Sequence, residues 1–118
     1  MKGQLDNDMG KILVDANVLA KYAGSAAVEC VGVVGMASVN MKDGIVQLLK
    51  RDNIRHGVEV RIEDNTLYIT MHIIVAYGVS IMTVAENLVE SIKYKVEEFT
   101  GLKIGKIIIC VEDVKVVD

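Results

Sequence analysis

Tyr77-Gly78-Val79-Ser80 joins an apolar strand to a long amphipathic helix, an arrangement that nucleotide-binding proteins use to hold phosphate. A dinucleotide fingerprint needs three glycines at fixed spacing, and a phosphate loop needs a lysine and a hydroxyl beside its glycines. Here a single glycine stands without a cation, so the step reads as a bend. His56 and His72 are the only histidines, and neither has a Cys or a second His at ligand spacing, which leaves no zinc site to expect. Ser25, Ser38, Ser80 and Ser91 sit in no nucleophile elbow. Glu86, Glu90, Glu97 and Glu98 fall on the polar face of a surface helix, where solvated charge is the ordinary filling. No catalytic, cofactor-binding or metal-ligating residue is expected. One cluster stands apart: in "KRDNIRH", Lys50, Arg51, Arg55 and His56 concentrate positive charge in an acidic chain, a candidate contact for an anionic surface or an acidic partner.

The elements that must position these groups follow from periodicity. In "VEVRIEDNTLYITM" a two-residue Asp64-Asn65 turn pairs Ile62 with Leu67, Val60 with Ile69 and Val58 with Met71 on one face. A slip of one residue would put three aliphatic side chains into water, so the register is strongly specified. Ser80 is placed to cap a helix over 80–100, with Ile81, Ala85, Leu88, Ile92, Val96 and Phe99 at steps of three and four, and Thr100-Gly101 as its stop. Asp15 is placed to cap an N-terminal helix over 15–30, carrying Val18, Leu19, Tyr22, Ala23, Ala26 and Ala27. "KILV" at 11–14 and "GVVGMASV" at 32–39 read as strands, and "KDGIVQLLKR" at 42–51 as a short helix interrupted by Gly44. The closing strand is apolar on both sides from Ile107 to Val111, the mark of an interior strand or of one covered by another subunit.

The fold class expected is α+β: a small mixed sheet made of the 58–75 hairpin and the C-terminal strand, with residues 33–39 as a candidate further strand, packed against the two helices. Residues 1–9 read as a mobile tail and 10–118 as one domain, for no proline, low-complexity run or charge block marks a boundary. A chain of 118 residues removes about two-thirds of its unfolded surface from water. With 52% hydrophobic residues but only 4% aromatic ones, its core must be built from Val, Ile, Leu, Met and Ala.

A net charge of -3 disfavours nonspecific nucleic-acid binding, which needs positive surface to displace counterions. Gly32-Val33-Val34-Gly35 matches the spacing of the loop by which KH domains grip a nucleic-acid backbone, yet its inner residues are valines rather than exposed basic groups. Cys30 and Cys110 lie far apart among apolar residues and read as packed thiols of a reducing compartment. The N-terminal stretch lacks the apolar run of a signal peptide, and no segment reaches the ~18 apolar residues of a spanning helix. A cytoplasmic location is expected, with the inner face of the membrane as the place of any peripheral contact.

Taken in order, "AGSAAVECVGVVGMAS", "DGIVQLLKR", "GVEVR", "IIVAYGVSIMTVAENL" and "IKYKVEEFTGLKI" resemble the bacterial alkaline-shock-protein family of envelope stress proteins. The match runs from about Gly10 to Val116 and is closest to a small subgroup commonly encoded beside a fatty-acid kinase. The resemblance implies a compact cytoplasmic α+β domain, self-association or docking to a membrane-anchored partner, a role in cell-envelope or lipid homeostasis, and no catalytic residues. Val89 and Ile108 are apolar where the pattern often carries polar groups, which enlarges apolar surface. The expected function is therefore a noncatalytic interaction module without cofactor. Two other readings stay open: a KH-like nucleic-acid-binding domain using Gly32 to Gly35 and the Lys50 to His56 cluster, and a small carrier of an acyl or phosphate ligand with Met and Val lining a pocket beside Arg51 or Arg55.

Overall fold

The computed structural model describes residues 2–7 and 10–117. Strands β1 (Lys2–Asn7) and β2 (Gly10–Asp15) form an antiparallel hairpin, followed by helix α1 (Ala16–Val28), strands β3 (Val33–Val39) and β4 (Val46–Leu48), and a 3-10 helix at Arg51–Gly57. Strands β5 (Val58–Glu63) and β6 (Thr66–Ala76), helix α2 (Ile81–Thr100) and strand β7 (Lys103–Lys115) complete the α+β fold.

β6 is the spine of the main sheet. Its first half pairs antiparallel with β5, its second half antiparallel with β3, and β7 runs parallel to it along the whole of its length. β4 extends the sheet beyond β3. The β5–β6 hairpin has the expected register: Val58 faces Met71, Val60 faces Ile69 and Ile62 faces Leu67. Asp64 and Asn65 take φ 48° and 59°, the pair of positive angles that a two-residue turn needs to match the strand twist.

Strand alternation then sorts β6 into two faces. Leu67, Ile69, Met71, Ile73 and Val75 are buried beneath the helices, while Tyr68, Thr70 and His72 point to the other face and stay half-buried. α2 lays Val84, Leu88, Ile92 and Val96 onto this core, and α1 adds Leu19, Ala23, Ala26 and Ala27. Burying each large aliphatic side chain contributes ~1.5–3 kcal/mol, so this layer carries most of the stability. Both helices start as expected: the Asp15 carboxylate accepts from the Asn17 amide at 2.9 Å, and the Ser80 hydroxyl accepts from the Thr83 amide at 3.3 Å. The stripes differ in detail from those expected, because the sheet meets α2 along the 84, 88, 92, 96 row. Ile81, Phe99 and, on α1, Val18 are left outward.

Two elements depart from expectation. Residues 42–51 form no α-helix: a turn at 40–45 leads into β4 and then the 3-10 helix that begins at Arg51. Side chains compete successfully with helical hydrogen bonds there, Asn40 accepting from the Lys42 amide at 2.9 Å and Asp43 from the Ile45 amide at 3.0 Å. The first nine residues, expected as a tail, contain β1. Gly3, Asp6 and Asn7 are poor strand formers, so the ladder offered by β2 is what makes this segment a strand.

Candidate functional site

The basic cluster rides on the 3-10 helix. Ile54 and Gly57 are buried and fasten this short helix to the domain, which leaves Lys50, Arg51, Arg55 and His56 all exposed. A shallow groove of about 680 Å³ takes in Lys50 and His56 with Ser38, Gln47, Leu48, Leu49 and Asn53, while Arg51 and Arg55 lie outside its lining. The structure therefore brings together two of the four. No Met or Val lines that groove, so it lacks the apolar pocket an acyl carrier would need.

The open face of the sheet collects groups that lie far apart in sequence. Matching registers of β5, β6 and β7 set Glu59, Arg61, Tyr68, His72, Cys110 and Glu112 side by side. His72 is held between two carboxylates, with Nδ1 2.7 Å from Glu112 and Nε2 3.8 Å from Glu59. Burial pushes the Cys110 thiol above its ordinary pKa, and the negative charges of Glu112 and Glu59 push it further in the same direction. A thiol so placed is a poor nucleophile. Arg61 stacks over the Tyr68 ring at 4.7 Å. His72 has no carboxylate near it in sequence, so its surroundings were not expected; strand parity predicts them only once the β6–β7 register is known. The two nitrogens of His72 face different carboxylates in opposite directions, and among the described residues no three His, Cys, Asp or Glu side chains converge as a metal ion requires.

β7 defines an edge. It pairs with β6 and, among the described residues, with no other strand. Its core-facing residues Ile104, Ile107, Ile109 and Val111 pack on the hydrophobic cluster, while Ile108 on the open face is 43% exposed. The apolar run from Ile107 to Val111 is thus a border strand rather than an interior one. That is the arrangement in which unpaired backbone groups invite another strand.

Three aromatic residues gather elsewhere. Tyr22 and Phe99 stack with ring centroids 4.3 Å apart and planes 14° from parallel, in a groove of about 690 Å³ between α1 and α2 that Tyr94 also lines. A hydrogen bond to Glu98 and that residue's negative charge raise the Tyr94 phenol above its ordinary pKa.

The two glycine motifs have packing roles. Gly32 has φ +92°, and a Cβ there would stand 2.5 Å from a Val84 methyl. Gly35 lies inside β3, where a Cβ would stand 2.7 Å from Leu48. A nucleic-acid clamp needs its glycines in an exposed loop, and only backbone turned toward solvent could serve as one. At the strand-to-helix bend, Gly78 also has φ +92°, and the Ser80 hydroxyl occupies the helix start that a phosphate would use. Among the described residues no helix is long and apolar enough to cross a membrane.

Three relatives resemble the chain over most of its length. An uncharacterized protein of Bacillus subtilis (strain 168), YloU, is 42% identical over 117 residues, covering 98% of this chain and 98% of the relative. An uncharacterized protein of Streptococcus pyogenes serotype M6, Spy1614, is 33% identical over 118 residues, covering 99% and 98%. A second uncharacterized Bacillus subtilis protein, YqhY, is 33% identical over 102 residues, covering 86% and 75%. No solved structure matches the chain. A family model matches residues 4–116, which span both helices, the open sheet face and the β7 edge, and the chain belongs to the alkaline shock protein 23 family, a family of cell envelope-related function.

Proposed function

We propose that this protein is a noncatalytic interaction module of envelope stress or membrane-lipid homeostasis, working in the cytoplasm by self-association and by docking to a protein partner, with a membrane-anchored partner the favoured kind. The observation that carries this reading is the β7 edge, where an apolar run with an exposed Ile108 borders the sheet and no other described strand pairs with it. Natural sheets usually shield such an edge with charge, proline or a covering segment. The family's envelope-related function supports the cellular setting. The subgroup's fatty-acid-kinase neighbourhood, implied by the resemblance alone, is the reason for naming lipid homeostasis. Lys50, Arg51, Arg55 and His56 serve in this scheme as the contact to an anionic membrane surface, all four exposed, with Lys50 capping the short 3-10 helix that carries the other three.

Light scattering of the purified chain from low to high micromolar concentration tests the proposal. A mass that rises with concentration supports it. A strictly monomeric species at high micromolar concentration overturns it.

A further inference from the structure

We propose that β7 pairs antiparallel with β7 of a second copy, from Lys106 to Glu112, about a two-fold axis at Ile109. This inference rests on the self-association reading above and gives it a surface, a partner and a register. The partner is identical because the strand is complementary to itself.

The segment reads Lys-Ile-Ile-Ile-Cys-Val-Glu, one charge of each sign enclosing five uncharged residues. Antiparallel pairing about Ile109 sets Lys106 opposite Glu112 at both ends, Ile107 opposite Val111, Ile108 opposite Cys110, and Ile109 opposite its own copy. Residues directly opposite share a face of the sheet, and opposite charges so placed attract. Lys106 and Glu112 both belong to the open face, Lys106 beside Tyr68 and Ile108, and Glu112 on His72. Ile107, Ile109 and Val111 belong to the core face. The pairing therefore joins core face to core face and continues the sheet from one copy into the next.

Other arrangements lose these matches. Parallel pairing in register would set Lys106 against Lys106 and Glu112 against Glu112. Moving the axis to Ile108 brings Lys106 opposite Cys110, and moving it to Cys110 brings Lys106 opposite Val114. A shift of one residue would set core-facing side chains opposite open-face ones. The regular stretch is also bounded: the β6–β7 register shifts between Leu67 and Tyr68, where Gly105 is the extra residue, and between Ile73 and Ile74, where Glu112 is. Bulges bend and twist a strand, so the straight part open to pairing runs from Lys106 to Val111, and Glu112 closes it at the second bulge.

A strand edge alone buries less than the ~800 Å² per partner of a stable interface. α2 supplies more. The Glu97 carboxylate accepts from the Ile104 amide at 2.9 Å, which identifies the flank of α2 that overhangs β7. Met82, Val89 and Lys93 share this flank at helical spacing, and Met82 is 69% exposed. Two such shoulders, in which Met82 and Val89 stand among the charges of Glu86, Lys93 and Glu97, would approach each other above the paired edges.

Sedimentation velocity with charge-swapped chains tests the inference. Lys106→Glu places like charges opposite each other at both ends of the pair, and so does Glu112→Lys. Each alone is expected to weaken the dimer about tenfold, and the chain carrying both to restore it to about the wild-type level. Lys106 is exposed, so its variant keeps the fold even if Glu112→Lys disturbs His72. A crosslinking arm reads the register directly. In a Cys30→Ser background, a chain with Ile108→Cys and Cys110→Ser is mixed with a chain that keeps Cys110, and oxidised glutathione is added. Disulfide between the two kinds of chain supports the axis at Ile109. Disulfide between Cys110 and Cys110 overturns it, and so does none between copies at a pH high enough for iodoacetamide to label native Cys110. If the wild type associates but neither single variant weakens it, or the double variant is as weak as the singles, the β7 pairing is wrong while self-association stands. If the wild type never associates, both proposals fall.

Discussion

Gly32 and Gly78 have the same backbone angle, φ +92°, but different surroundings, and alanine at each separates two costs that usually arrive together. At Gly78 a Cβ would meet nothing within 4 Å. Gly78→Ala therefore carries only the strain of a left-handed angle on an L residue, about 1–2 kcal/mol. At Gly32 a Cβ would stand 2.5 Å from a Val84 methyl and 3.7 Å from one of Val79. Val84 is nearly buried at the start of α2 and has little room to retreat. Forcing an extra methyl into such packing costs a further ~1–3 kcal/mol. Gly32→Ala should thus lose about 2–5 kcal/mol, with a melting temperature lower by roughly 4 °C for each kcal/mol in a domain of this size. Urea unfolding followed by circular dichroism measures both variants, provided the slope against urea stays unchanged. Equal losses at the two sites would refute the packing account of Gly32. They would also reopen the view of Gly32 to Gly35 as a free loop.

Three further outcomes follow from the same geometry. Leu88 is wholly buried between α2 and the sheet, so Leu88→Ala should cost about 2–5 kcal/mol in urea unfolding, and a loss below about 1 kcal/mol would show that α2 packs otherwise. The Cys110 pKa is raised by burial and then by Glu112 and Glu59, so its neutral thiol stabilises the fold below the unfolded pKa and that contribution is lost as pH rises through the folded value. Cys110→Ala should accordingly flatten the decline of stability on the alkaline side, and iodoacetamide should label native Cys110 more slowly than the unfolded thiol at the same pH; identical profiles would count against the environment described. Reversing Arg51 and Arg55 to Glu removes two basic groups, each contributing ~1 kcal/mol near an anionic membrane, and should weaken flotation with phosphatidylserine-containing vesicles by at least about 30-fold; unchanged flotation would remove the 3-10 helix from the membrane contact.

Local signals that agree with one another were the legible ones. The β5–β6 hairpin could be read to the residue because its apolar positions alternate on one face and Asp64-Asn65 suits a turn with two positive φ angles. α2 was equally plain from Ser80 to Gly101, since cap, stripe and stop coincide. β4 was hidden because Val46, Leu48 and Leu49 suit a short helix as well as a strand, and turn-forming side chains at Asn40 and Asp43 decided the matter. β1 was hidden because its own residues favour no strand. The open sheet face depends on a parallel pairing between β6 and β7, a long-range match with bulges at both ends that periodicity cannot reveal. Lys50, Arg51, Arg55 and His56 were visible as a charge cluster, yet the division of that cluster by the groove comes from the 3-10 turn, which spaces neighbours differently from an α-helix.

The central claim is that the β7 border is where this protein meets its partners, a second copy first among them. Amide hydrogen exchange of residues 106–112, followed by mass spectrometry as the protein is concentrated, tests it most directly, because half of a border strand's amides point away from the sheet and exchange freely until another strand covers them. The account predicts that protection in this segment rises with concentration while the β5–β6 turn at Asp64-Asn65 stays unchanged. Exchange in 106–112 that is independent of concentration, in a sample that associates, would contradict it.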